Sequence, residues 1–123
     1  MLNVDLNTRR DFIRFQRDEL TSSLVYAKLA SIEKNEQNKK VLNAISFEEL
    51  EHCEVLMKYT GIIPSPYSWK VIFYYMLARI FGLTFAIKLM ENGESEAQDM
   101  YARYKDFPVV VALGQEEEKH EEQ

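Results

Sequence analysis

The chain has 123 residues, a formal net charge of −5 at pH 7 and a single cysteine. This length suits one domain with one hydrophobic core. The lone Cys53 excludes a disulfide-linked scaffold and any metal site built from four cysteines. The excess of 20 acidic over 15 basic residues argues against nucleic acid as a partner, because the phosphate backbone would be repelled.

The first half of the chain is predicted to form two helices. The first extends from about residue 8 to residue 33, and Asp5, Asn7 and Thr8 are candidates for capping its amino end. The second extends from about residue 36 to residue 59. We expect Gly61 to end it, because glycine readily adopts the left-handed conformation that closes many helices.

The second half is predicted to contain two further helices. The third begins after Ser65-Pro66, a capping residue followed by a proline suited to a first turn, and continues to about residue 105 with interruptions at Gly82 and Gly93. The fourth begins near residues 106–108 and continues to the end. Strand alternation is absent, so the sequence predicts one all-α domain over residues 1–123, arranged as an antiparallel four-helix bundle.

Two segments of the chain raise the question of a membrane or of missing sequence. The run from residue 71 to residue 90 is long enough to span a bilayer. However, it contains Arg79 and Lys88, each costing roughly 2.5–3.5 kcal/mol near the bilayer centre, so we favour a buried helix or a subunit interface. Residues 115–123 form a helical pattern with no stop signal, which predicts either a frayed acidic tail or a fragment of a longer protein.

Four glutamates share a helix face with apolar residues, one in each predicted helix: Glu19, Glu49, Glu94 and Glu117. The faces of the first three also carry Phe12, Phe15, Ser23, Tyr26 and Ala27; Leu42, Ile45, His52, Cys53 and Leu56; and Ile87, Met90, Glu91, Ala97 and Tyr101, respectively. Burying an ionised carboxylate is unfavourable unless it is paired or binds a metal. These glutamates are therefore either ligands of a metal site or surface charges on wide amphipathic helices.

The spacing of the two histidines favours the metal site. Glu49-x-x-His52 and Glu117-x-x-His120 each place a carboxylate and an imidazole one turn apart on one helix face. Two helices that contribute Glu and two that contribute Glu-x-x-His form the ligand pattern of carboxylate-bridged two-metal bundles. Four carboxylates also match the charge of two divalent ions.

The two halves of the chain repeat this pattern. Glu19 and Glu94 are 75 residues apart, as are Tyr26 and Tyr101. Glu49 and Glu117 are 68 residues apart, as are His52 and His120. An ancient duplication would leave such a repeat. Each tyrosine either donates a hydrogen bond to a carboxylate near the metal site or simply packs in the core.

The segments around Glu19–Tyr26, Glu48–His52, Gly93–Ala97 and Glu117–His120 resemble the rubrerythrin branch of the ferritin-like superfamily over nearly the whole chain. The stretch from Leu77 to Ala86 is similar to rubrerythrin-like domains that precede the membrane part of vacuolar-iron-transporter-family proteins. A transporter portion beyond residue 123 would explain the abrupt end. The rubredoxin-like Cys-x-x-Cys of rubrerythrins is absent.

The resemblance implies a ferritin-like bundle that holds two iron ions, or manganese. Glu49 and Glu117 would bridge the ions. Glu19, Glu94, His52 and His120 would be terminal ligands, and Glu91 would be an additional ligand that shifts with redox state. Mixed oxygen and nitrogen ligands suit iron or manganese better than zinc or calcium.

Helix lengths leave the geometry of the third segment open. The second helix continues only roughly 10 Å past His52, whereas Glu94 lies roughly 42 Å beyond Pro66 along an unbroken helix at 1.5 Å per residue. Either the chain folds back near Gly82, or the third segment delivers its ligands to a second chain in a domain-swapped dimer. We expect a homodimer.

Three functions are compatible with these patterns. The first is a ferroxidase- or peroxidase-type domain that oxidises Fe(II) with O₂ or peroxide, either on its own or to handle iron for an attached membrane iron transporter. The second is a non-catalytic module that senses or delivers iron or manganese. The third is a structural helical domain with solvent-facing glutamates. A cytoplasmic location, with or without a membrane tether beyond residue 123, fits the first two. A cysteine nucleophile is disfavoured, because Cys53 faces the core.

Overall fold

The computed structural model describes the backbone of residues 5–101 and the side chains of residues 5–92. This part of the chain forms four helices and contains no strand: α1 (Leu6–Ile32), α2 (Glu36–Thr60), α3 (Ser68–Phe81) and α4 (Leu83–Tyr101). The all-α prediction is therefore confirmed over the described residues. The predicted helix from residue 106 onward lies outside them.

The ends of α1 and α2 follow from local hydrogen bonding. Asp5 caps α1, and its Oδ1 accepts a hydrogen bond of 2.7 Å from the Thr8 amide. Asn35 caps α2 in the same way, accepting a bond of 3.0 Å from the Asn38 amide. Gly61 ends α2 in the left-handed conformation, with φ 68°, as its position in the sequence predicted.

Helices α1 and α2 form an antiparallel hairpin with a shared apolar face. Ser23 of α1 bonds to Ser46 of α2, while the earlier Gln16 bonds to the later Thr60. The buried residues of this hairpin include Phe12, Phe15, Glu19, Ser23, Tyr26, Leu42, Ile45, Glu49, His52, Cys53 and Leu56. The predicted faces are therefore confirmed, with one exception. Ala27 is exposed, because it lies one position round the helix from Tyr26, at the edge of the stripe.

The capping of α3 differs from the prediction. The helix begins at Ser68, so the predicted start after Ser65-Pro66 is confirmed. Tyr67 precedes the helix without a side-chain cap, so the capping role predicted for Ser65 and the first-turn position predicted for Pro66 are wrong. Contacts with α1 hold these residues outside the helix. The Arg17 guanidinium donates to the Ser65 carbonyl at 3.0 Å and covers the Tyr67 ring, and the Tyr67 amide donates to Thr21 Oγ1 at 2.9 Å.

The chain turns at Gly82, between α3 and α4. This residue has φ 100° and ψ 156°, a region open essentially to glycine alone. After the turn, Ala86 and Met90 are buried in the core that contains Tyr26 and Leu42. The fold-back near Gly82 is therefore the arrangement of this chain, and α3 and α4 do not form the single straight rod that a domain swap would require.

Two further expectations about the second half are corrected. Helix α4 continues through Gly93, so the predicted interruption there is wrong; a glycine inside a helix costs only about 1 kcal/mol. The run from residue 71 to residue 90 is not one buried helix either, since it is divided at Gly82 and only Ala78, Ala86 and Met90 in it are buried. Within residues 5–101, no helix combines the length and the hydropathy needed to cross a bilayer.

Candidate metal site

Three of the predicted ligands lie together inside the α1–α2 hairpin. Glu19, Glu49 and His52 are 3%, 1% and 4% exposed, respectively. One potential ligand atom from each side chain lies within 4.8 Å of the other two. The interpretation of Glu19 and Glu49 as solvent-facing surface charges is therefore wrong for these two residues.

The closest contact in the cluster joins the two helices. Nδ1 of His52 lies 3.3 Å from Oε2 of Glu19, so the imidazole of α2 turns this nitrogen toward the carboxylate of α1. Glu49 lies one turn before His52 on the same face of α2, as the Glu-x-x-His spacing predicted. The cluster thus offers two carboxylates and one imidazole nitrogen to a common centre.

A pair of serines next to the cluster brings the two helices close together. The Ser23 hydroxyl donates to the Ser46 carbonyl, and the Ser46 hydroxyl donates to the Ser23 carbonyl, both at 2.7 Å. Ser23 lies one turn after Glu19, and Ser46 lies just before Glu49. This reciprocal pair fixes the separation of α1 and α2 beside the ligands. No spacing signal in the sequence indicated it.

A second buried polar network lies beyond the other end of the cluster. Thr60 Oγ1 donates to Gln16 Oε1 at 2.6 Å, and Gln16 Nε2 donates to the Ile62 carbonyl at 3.0 Å. The guanidinium of Arg9 donates to the Thr60 carbonyl through two nitrogens, at 3.2 and 3.0 Å. These bonds hold the end of α2 against α1. Hydrogen bonds between the helices therefore lie on both sides of the cluster.

Cys53 follows His52 in the sequence and is poorly suited to act as a nucleophile. Burial, with the charges of Glu19 and Glu54 adding to it, raises the pKa of the Cys53 thiol to about 11. The thiol is therefore protonated at neutral pH and is a poor nucleophile. This agrees with the expectation that the site does not use a cysteine nucleophile.

Of the remaining predicted ligands, only Glu91 has a described side chain. Glu91 is half-buried in α4, outside the cluster of Glu19, Glu49 and His52, and lines a cavity of 410 Å³ together with Tyr26 and Ile45. Tyr26 and Ile45 belong to the helix faces that carry Glu19 and Glu49. Glu94 lies in α4 one turn beyond Glu91, but its side chain is outside the described part. Glu117 and His120 also lie outside the described residues.

The donor set suits a transition metal of intermediate character. Carboxylate oxygen and imidazole nitrogen are ligands for iron and manganese, whereas a calcium site uses oxygen ligands and a structural zinc site usually includes cysteine. The burial of the three side chains would keep bulk water from the ion. The three residues therefore fit one half of the two-metal site that the sequence predicted.

Comparisons of this chain with protein-family models, with curated proteins and with solved structures gave no significant match.

Proposed function

We propose that this protein binds two iron ions, with manganese as the alternative, and oxidises Fe(II) with O₂ or peroxide. The observation that carries the proposal is the buried cluster of Glu19, Glu49 and His52, with ligand atoms within 4.8 Å of one another. Glu94, Glu117 and His120 would complete the site by the repeat in the sequence. The resemblance of residues 77–86 to transporter-linked domains supports a role in supplying iron to an attached membrane transporter.

The electrostatics of the cluster support a bound cation. Two carboxylate charges within 4.8 Å of each other repel by at least about 3.5 kcal/mol at an effective dielectric constant of about 20. Desolvation of the two carboxylates adds to this penalty. A divalent ion between them replaces the repulsion by attraction and offsets the desolvation penalty, so metal binding and the stability of the fold become coupled.

The residues of the chain have distinct tasks in this proposal. Glu49, which the resemblance assigns as a bridge between two ions, and Glu19 would supply negative charge, while His52 would supply a neutral nitrogen. The contact between His52 and Glu19 orients the imidazole before any ion arrives. When bound, iron would supply the redox chemistry, and the protein supplies geometry, charge and exclusion of water.

Metal stoichiometry tests the binding part of the proposal. Purified chain, reloaded anaerobically with Fe²⁺ and desalted, is expected to hold about two ions per chain, the number typical of such carboxylate bundles. Glu19→Gln and Glu49→Gln should lose metal. Glu51→Gln, which changes an exposed carboxylate on the same helix, should retain it. Less than one iron or manganese per chain in the unmodified protein refutes the metal site.

Oxygen consumption tests the catalytic part separately. Addition of Fe²⁺ to the metal-free protein should accelerate the uptake of O₂ or peroxide above the rate in buffer, and Glu51→Gln should behave like the unmodified chain. If two ions bind but neither oxidant is consumed faster than in buffer, the oxidation proposal is wrong. The metal site would then support a non-catalytic module that senses or delivers metal.

A further inference from the structure

Helix α3 presents an apolar stripe to solvent. The stripe consists of Trp69, Ile72, Phe73, Met76 and Ile80, which are 63%, 64%, 46%, 49% and 65% exposed, respectively. Their spacing of three, four, seven and eleven positions from Trp69 places them on one face of the helix. Single exposed apolar residues are ordinary on a protein surface, but a continuous stripe along a whole helix indicates a contact surface.

The fold of the chain itself uses the other side of α3. Val71, Tyr74, Leu77 and Ala78 pack on the core formed by α1, α2 and α4. The stripe is therefore an additional apolar surface on a helix that is already packed, and none of its residues belongs to the core formed by residues 5–92.

The size of the stripe matches the apolar part of a stable dimer interface. Two aromatic side chains of about 150–250 Å² each, about half exposed, and three aliphatic side chains that are half to two-thirds exposed offer roughly 500 Å² per chain. A stable interface of standard size buries about 800 Å² per partner, and about 56–65% of that area is apolar.

The charges around the stripe favour a second copy over a membrane. Helix α3 contains no acidic residue and only two basic ones, Lys70 and Arg79, so two copies of the stripe can pack without burying a carboxylate. Binding to an anionic membrane surface typically uses clusters of about 4–8 basic residues. The net charge of −5 would oppose that binding.

A groove beside the stripe provides a seat for a partner helix. It lies between α1 and α3, has a volume of 800 Å³, and includes Ile72 and Met76 in its lining. Helices pack by fitting the side-chain ridge of one into the groove of another. The stripe of one copy can thus pack into the groove of the other, and the reverse contact forms at the same time.

We infer that the stripe is the interface of a symmetric homodimer, in which the α3 helices of two copies cross in antiparallel orientation near Met76. Two-fold symmetry makes the same patch on each chain contact its own counterpart. Each chain keeps its own turn at Gly82, so the dimer forms without an exchange of helices. This interface is independent of the metal site.

The oligomeric state of the full chain tests the inference. Sedimentation velocity should show a dimer for the unmodified protein. Ile72→Glu and Ile80→Glu should each raise the dimer dissociation constant by at least about 100-fold, because symmetry buries the new carboxylate twice. Phe47→Glu is the matched control. Phe47 is 62% exposed on α2, away from the stripe, so this variant should remain a dimer.

Disulfide formation tests the antiparallel crossing. In Met76→Cys, the new cysteine lies near the symmetry axis and should form a disulfide with its counterpart under mild oxidation. In Trp69→Cys, the two cysteines would lie roughly 20 Å apart at 1.5 Å per residue, too far for a bond that needs Cα atoms within about 7 Å. The native Cys53 is buried and should not compete.

Several results would overturn the inference. A monomeric unmodified chain at 100 μM, or a dimer that survives both Ile72→Glu and Ile80→Glu, would exclude this interface. If the monomer sediments with phosphatidylcholine vesicles and Ile72→Glu does not, a membrane covers the stripe instead. Circular dichroism and metal content of Ile72→Glu separate these results from unfolding and from failure of the proposed metal site.

Discussion

The buried carboxylate of Glu49 should destabilise the metal-free protein and stabilise the loaded one. Glu49 is 1% exposed, and its ligand atom lies within 4.8 Å of that of Glu19. The repulsion of about 3.5 kcal/mol calculated for this distance is partly offset whenever His52 is protonated beside Glu19. Glutamine has nearly the same shape without the charge, so Glu49→Gln removes the repulsion and leaves the packing intact.

Without metal, we expect Glu49→Gln to raise the free energy of unfolding by about 2 kcal/mol, or the melting temperature by about 8 °C for a domain of this size. With Fe²⁺ or Mn²⁺ at 100 times the dissociation constant, the unmodified protein should gain about 2.7 kcal/mol. Glu49→Gln should gain almost nothing. The order of the two melting temperatures should therefore reverse when metal is added.

Differential scanning calorimetry at pH 8, with and without anaerobic metal, measures both effects. Glu51→Gln is the control, because Glu51 is exposed on the same helix and surface substitutions usually change stability by less than about 0.5 kcal/mol. A metal-free Glu49→Gln that melts below the unmodified protein, with Glu51→Gln unchanged, would refute the reasoning. The carboxylate would then be stabilised by the protein itself.

Three further predictions concern the rest of the fold. The Cys53 thiol has a pKa of about 11 in the folded protein against an ordinary 9.0, so it should react with Ellman's reagent at pH 8 only after unfolding. Because the pKa is raised, the stability that the protonated thiol contributes should be present below pH 9 and lost between pH 9 and 11. Rapid labelling of the native protein would contradict this. Thr60→Val removes the donor to the buried Gln16 amide and should cost about 1–3 kcal/mol in urea unfolding, whereas Thr84→Val at an exposed site should be neutral. Gly82→Ala meets no neighbouring atom within 4 Å and should cost about 1–3 kcal/mol from backbone conformation alone; an unchanged melting temperature would show that the turn does not require glycine.

Local sequence signals predicted the helices well where they depend on local chemistry. The cap of α1 and the left-handed Gly61 each act within a few residues, so the sequence located Gly61 and limited the cap to Asp5, Asn7 and Thr8. The faces of α1 and α2 were also predictable, because a helix of 3.6 residues per turn brings Glu19 and Glu49 onto apolar stripes.

Features that depend on contacts between distant segments were not predictable. The residues just before α3 are held outside the helix by Arg17, which belongs to a helix about 50 residues earlier. The choice between a turn and a straight rod at Gly82 depends on packing of Met90 against α1 and α2. The Gln16–Thr60 network was equally invisible, since neither residue carries a motif. The ligands Glu94, Glu117 and His120 stay predictions.

The reciprocal bonds between Ser23 and Ser46 would affect the metal selectivity of the proposed site. The carbonyls of both serines accept from the opposite helix at 2.7 Å, so the approach of the two backbones is set by residues that are not ligands. Ions of different radius need cavities of different size. Exchanging these serines for alanine or threonine would alter the interhelical spacing, and with it the ion that the proposed site prefers, although no ligand residue is replaced.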